Sequence, residues 1–124
     1  MLIDMFTNNI KNNILNFSQD DLMFKAKIYE DVTNPFTNKV VKGKLLHIQT
    51  IGVPEHLRGN GICTSLMRWI EENLNVDEIR VGPVLDEAME HILIKLSYKP
   101  IPPFCARKQL TKVSLPYVVL DVID

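Results

Sequence analysis

The chain has 124 residues, 46% of them hydrophobic and 23% charged, and 14 Lys and Arg stand against 15 Asp and Glu for a net charge of −1. That length fits one domain over residues 1–124, that apolar content sustains a core, and the near-neutral balance argues against a general nucleic-acid binder. Two cysteines, Cys63 and Cys105, are too few for a disulfide scaffold or a zinc site, and the sequence shows neither a leader nor a long apolar run, so a cytoplasmic protein without metal or membrane contact is expected.

In chain order, Phe6, Ile10, Ile14 and Phe17 recur at helical spacing in an Asn-rich stretch, which predicts one short helix. Ser18–Asp21 reads as a turn. Leu22–Val32 alternates, with Leu22, Phe24, Ala26 and Ile28 on one face and Met23, Lys25, Lys27 and Tyr29 on the other, which predicts a half-buried strand. Thr33–Asn38 carries turn chemistry around Pro35. Val40 and Val41 begin another strand that Gly43 interrupts, and Leu45–Val53 follows as the central strand. Gly52 inside it suggests a bulge, and Pro54 ends it. Without a shift of register, His47, Gln49 and Ile51 share one face.

The segment Arg58-Gly59-Asn60-Gly61-Ile62-Cys63-Thr64 then opens a helix whose Ile62, Leu66, Ile70 and Leu74 form an apolar stripe, with Glu71 and Glu72 off it. The first turn of a helix leaves backbone N–H groups unpaired at the positive end of the macrodipole, and glycine permits both φ > 0 and the close approach of an anion. With Arg58 at its edge the stretch predicts a phosphate cradle. No Lys follows Gly61, which rejects a P-loop. Thr64 stands where a dinucleotide fingerprint needs its third glycine, and Pro54–Leu57 separate loop from strand, which rejects that motif too.

Beyond the helix, Asp77–Val81 is a short strand with Ile79 and Val81 in and Glu78 and Arg80 out. Asp86–Ser97 is a second helix with Asp86 as N-cap and Met89, Ile92, Leu93 and Leu96 buried. Pro100, Pro102 and Pro103 end it, and Phe104–Gln109 and Tyr117–Ile123 read as a closing pair of strands. The fold class is α/β (α+β), a mixed sheet with helices packed on it.

The run V-P-E-H-L-R-G-N-G-I-C resembles the coenzyme A-binding segment of the GNAT acetyltransferase superfamily, in which a strand ending in Val-Pro is followed by [QR]-x-x-G-x-[GA] and a helix. Arg58, Gly61 and Cys63 occupy the fixed positions, Cys63 in place of Gly or Ala. I-L-I-K-L-S-Y-K-P resembles the family's second-helix ending L-Y-x-K-x-G-F-x-P, with Ser97 at the Gly, Tyr98 at the Phe and Leu93 where a catalytic Tyr often lies. The likeness runs from about Lys42 to the C-terminus. It implies a mostly antiparallel central sheet with flanking helices and an abbreviated N-terminus. It also implies acetyl-CoA as cosubstrate and an N-acetyltransferase activity on a primary amine of a protein, peptide or small molecule. In that family a bulge splays two strands, which gives Ile51 and Val53 a backbone role toward the thioester and pantetheine arm. The loop Arg58–Thr64 then holds the pyrophosphate, and Asp86 falls near an Asn that touches the cofactor arm.

Acyl transfer from a thioester needs a neutral amine, a held oxyanion and a leaving thiolate. A lysine-type amine of pKa about 10.4 is neutral roughly once in 2,500 at pH 7, a deficit of about 4.6 kcal/mol that a base or desolvation must offset. A thiol of pKa about 8.5 leaves without an acid at a cost of only about 2 kcal/mol, so Leu93 at the Tyr position weakens an enzyme reading without excluding it. His47 is the candidate base; a structural His is the competing reading. His56 and His91 read as solvated, Tyr98 as packing or a general acid, and Cys63 and Cys105 as core thiols rather than nucleophiles. Alternatives to catalysis are an inactive coenzyme A-binding module and a protein-interaction module, and a homodimer is compatible with either.

Overall fold

A computed structural model describes residues 10–11, 14–19, 22–52, 61–84, 87–101 and 104–116. In chain order the elements are β1 (Ile10–Lys11), β2 (Ile14–Gln19), β3 (Leu22–Thr33), β4 (Val40–Gly52), α1 (Ile62–Asn73), β5 (Glu78–Val81), α2 (Glu87–Lys95), β6 (Lys99–Ile101) and β7 (Cys105–Gln109). They form one seven-stranded sheet in the order β1-β2-β3-β4-β5-β7-β6. Every pairing is antiparallel except β4 with β5, which are parallel as the α1 crossover between them requires. The fold is therefore mixed α+β with a mostly antiparallel sheet.

Both helices pack on one face of the sheet. Leu66, Met67 and Ile70 of α1 and Leu93 of α2 meet Phe24, Ala26, Leu46, Ile48, Ile79 and Val81 in a single apolar cluster. The stripe expected on α1 is the face that makes this contact. Glu71, expected off it, turns back instead to pair with Lys108 on β7. On α2, Leu93 and Leu96 are buried as expected, and the helix ends with Ser97 in the left-handed region (φ 71). Tyr98 N donates to Leu93 O and Ser97 N to Ile94 O, the Schellman arrangement that favours glycine at this position.

The opposite face is built differently. Leu45, Val32 and Leu115 form a small apolar cluster beneath the segment that follows β7. Gly43 lies under that segment. A Cβ there would stand 3.0 Å from both Val113 and Leu115 side chains, so the glycine marks a close approach and does not interrupt β4.

Several expectations are corrected. The helix expected over Phe6–Phe17 gives way to β1 and β2 wherever it falls on described residues. Ser18 and Gln19 lie in β2 rather than in a turn, and Gln19 pairs with Leu22. The bulge is at Gln49, not Gly52: Lys25 pairs with Thr50 and Ala26 with Ile48, which leaves Gln49 as the extra residue. Glu78 and Arg80, expected outward, are 0% and 3% exposed, because a parallel strand inside a sheet is covered on both faces. Pro100 sits within β6, which is the sheet edge among the described residues and so tolerates a residue without a donor. The expected strand Tyr117–Ile123 lies outside the described residues.

Candidate functional site

The parallel pair β4–β5 ends before β4 does. Its ladder runs from Leu45–Glu78 to Ile48–Val81, and Gly82 N closes it by donating to Ile48 O. Beyond that point β4 continues through the Gln49 bulge to Gly52, still paired with β3. Chain β5 instead turns away through a cis Gly82–Pro83 bond, and Val84 N donates to Phe104 O. Thr50–Gly52 thus have β3 on one side and no strand on the other among the described residues. A gap opens at the carboxyl ends of two parallel strands, the place where open sheets with crossover helices admit ligands. Gly82 allows β5 to leave: a Cβ there would strike Cys105 Sγ and lie 3.1 Å from Cys105 Cβ.

Helix α1 begins at this end of the sheet. Its N-cap is Gly61, at φ 71 and ψ 15, and no side chain among the described residues caps it. The first turn holds no acidic residue, whereas α2 carries Glu87 and Glu90 in its own. The N–H groups at the start of α1 are therefore not answered by an acid of the helix itself. A Cβ built on Gly61 meets nothing within 4 Å among the described residues. The glycine is needed here for its positive φ rather than for close packing.

The expected site residues divide as follows. Gly61, Ile62, Cys63 and Thr64 form the start of α1. Cys63 turns its side chain inward, buried and with Sγ 3.3 Å from Met89 Sδ of α2. Ile51 lies in β4 beyond the end of the β4–β5 ladder. Val53, Arg58, Gly59, Asn60 and Asp86, with His56, lie outside the described residues.

His47 is one residue before the ladder ends, and the bulge puts it on the opposite face from Ile51. Ile51 pairs with Phe24 and packs with the helix-side cluster, while His47 neighbours Arg80 across the β4–β5 pair. This corrects the expectation that the two share a face. The ring is 9% exposed, and Nε2 lies 3.2 Å from Gly82 O. Because a carbonyl only accepts, Nε2 carries the proton and Nδ1 keeps the lone pair; Nδ1 has no hydrogen-bond partner among the described residues. Burial pulls the His47 pKa below its ordinary value, the Gly82 carbonyl partly offsets this, and the Arg80 charge lowers it further. The ring is therefore neutral at pH 7 and able to accept.

Of the remaining candidates, Leu93 is 2% exposed in the helix-side core and offers no acid. Tyr98 is 4% exposed, with Lys108 Nζ 5.6 Å from its ring centroid. Its hydroxyl is pushed well above the usual range by burial and by the Glu71 charge, which suits packing rather than proton donation. His91 is exposed on α2. Cys105 lies against Gly82 as a free, half-buried thiol.

What sequence reasoning missed is the ionic cluster beside His47. Glu78 bonds Arg80 Nε, and Arg107 Nη2 comes within 3.0 Å of the other Glu78 oxygen, in ion-pair range though not aligned as a hydrogen bond. Arg80 also donates to Pro116 O at 2.9 Å. The available signal was the two-residue spacing of Glu78 and Arg80 in a strand too short and too central to have a wet face. No group of three or more His, Cys, Asp or Glu side chains able to hold a metal ion occurs among the described residues. None of the described helices is long and apolar enough to cross a membrane. Protein-family models give no match to the chain, and neither do curated protein sequences.

Proposed function

We propose that the protein is a GNAT-like N-acyltransferase that moves an acetyl group from acetyl-CoA to a primary amine. The observation that carries the reading is the gap between β4 and β5 among the described residues, with the start of α1, which carries no acid in its first turn, at its open end. A pyrophosphate fits a helix start that lacks its own acid, has nothing within 4 Å of a Cβ at Gly61 among the described residues and follows Arg58 in sequence. An extended thioester arm fits a gap lined by strand backbone, and the Gln49 bulge is the kind of feature the family resemblance implies for splaying two strands.

When bound, acetyl-CoA supplies an activated carbonyl and a thiol leaving group. The backbone near Ile51 would orient that carbonyl and donate to its oxygen. His47 Nδ1 would take the proton from the attacking amine, its Nε2–H held by Gly82 O. That helps offset the roughly 4.6 kcal/mol needed to present a neutral lysine-type amine at pH 7. No side chain is assigned as acid for the thiolate, in keeping with its low basicity and with the buried Leu93.

A second reading, a coenzyme A-binding module without turnover, is favoured by one observation: the position of the family's tyrosine holds a core leucine. Release of free thiol from acetyl-CoA, followed with and without a panel of amines, separates the two. Amine-dependent release is expected, and His47→Ala lowers kcat on the order of a hundredfold while binding of acetyl-CoA is unchanged. Cofactor binding with no release for any amine would establish the module instead.

A further inference from the structure

A cavity of about 290 Å³ lies between α2 and the β6–β7 edge of the sheet, partly open to solvent. Among the described residues its apolar walls come from Leu93 and Ile94 of α2, from Ala106 of β7 with Phe104 just before it, and from Val84. The departure of β5 that opens the gap toward β4 also makes this cavity, because it carries Val84 across to Phe104, where Val84 N donates to Phe104 O. Leu93 and Ala106 are core residues at 2% and 8% exposure, whereas Ile94 and Phe104 are 60% and 58% exposed. The cavity therefore runs from the core to a rim of two large apolar side chains that face water, an arrangement typical of ligand sites.

Its polar groups are few and differ in kind. Glu90 is the one charged residue of the lining among the described residues; it is exposed, and Glu87 stands three residues before it in the same turn of α2. No Lys, Arg or His of the described residues lines the cavity to answer that charge. Tyr98 completes the wall, 4% exposed, and its hydroxyl makes no hydrogen bond among the described residues. A buried hydroxyl without a partner is costly, and a polar atom on a ligand's ring can supply one. The volume sets the size: an apolar cavity of about 150 Å³ takes a benzene ring, so this one takes about a dozen heavy atoms. Pro100 also lines it and gives the middle of β6 no N–H, so a peptide strand cannot pair fully along this edge.

We propose that this cavity is a binding site for a small aromatic amine, with the ring seated between Leu93, Ala106 and Phe104 and the ammonium group at Glu90. An alkylamine is protonated at pH 7, and the acids of α2 favour that charge at the rim while they oppose a carboxylate there. The site is separate from the proposed transfer centre: none of its wall residues belongs to α1, and His47 lies on the other face of the sheet. The inference therefore does not rest on the acyltransferase reading.

The test is titration of the full chain with tryptamine and with indole-3-propionate, which share a ring and differ in the sign of the charge, followed by amide chemical shifts. Tryptamine is expected to bind about tenfold tighter, with shifts centred on Val84, Glu90–Ile94 and Phe104–Ala106 and a preference that fades as salt rises. Glu90→Gln lowers tryptamine affinity about threefold, because an exposed ion pair contributes little, and leaves indole-3-propionate no weaker. Ile94→Lys places a cation at the rim and removes tryptamine binding; Phe104→Ala, which trims an exposed ring, weakens both ligands should that variant fail to fold. No tryptamine binding at millimolar concentration overturns the proposal, as do equal affinities for the two ligands, shifts centred on another part of the chain, or binding that survives Glu90→Gln and the rim substitutions unchanged.

Discussion

The two faces of this sheet bury neighbouring residues of β5 by opposite means. Ile79 turns to the helices and lies in one apolar cluster with Phe24, Leu46, Ile48, Met67 and Ile70, where the main requirement is apolar volume. Glu78, beside it and equally hidden at 0% exposure, turns the other way and is held by Arg80 and Arg107. The first face can absorb small changes by repacking. The second cannot, because the buried charges of Glu78 and Arg80 each depend on a particular partner. The fully buried ion pairs of β5 therefore lie on one side of the sheet, the side that carries His47.

The largest expected effect breaks this contrast directly. Glu78→Gln alters almost no volume, yet it leaves two guanidinium groups without their shared carboxylate and lowers stability by about 3–5 kcal/mol in urea unfolding. Ile79→Val, which deletes a whole methylene, costs only about 0.5–1.5 kcal/mol. Equal losses for the two would mean that the ionic face is no more exacting than the apolar one.

A smaller effect sharpens the contrast through pH. The His47 pKa is lowered in the folded protein, chiefly by burial, so below the ordinary value of 6.5 the unfolded chain takes up a proton that the folded chain resists. The contribution is therefore complete above pH 6.5 and is lost progressively as pH falls from there toward the lowered folded value. Thermal unfolding between pH 5 and 7.5 should show that slope, and His47→Gln should flatten it. An unchanged slope would place the titrating group elsewhere.

The apolar face was legible in the sequence, and the ionic face largely was not. Period-two alternation marked β3, and period-four spacing marked α1 and α2, because each buries one stripe against a common core. The N-terminal stretch misled, since Ile10, Ile14 and Phe17 also fit helical spacing. Its strand signal lay in Leu15 and Phe17 alternating with Asn16 and Ser18, which pair with Ala26, Phe24, Lys25 and Met23 of β3. The glycine at the start of α1 was legible as a position free to take φ > 0, and Gly61 adopts φ 71. The Gln49 bulge was not legible. No residue type marks it, and one extra residue reverses which side chains share a face with His47. The ionic cluster was beyond reach for the same reason, because His47, Arg80 and Arg107 meet only through the register of strands far apart in the chain.

The most direct test of the account is calorimetric titration of the protein with acetyl-CoA and with free coenzyme A, repeated on Gly61→Glu and Arg58→Glu. The first substitution puts a carboxylate and a strained backbone at the α1 cap, and the second reverses the charge three residues before it in sequence. Binding is expected for the unaltered protein, weakened on the order of a hundredfold in each variant while thermal unfolding confirms that both remain folded. No binding at millimolar cofactor, or two folded variants that bind as the parent does, would contradict the cradle and with it the acyltransferase reading.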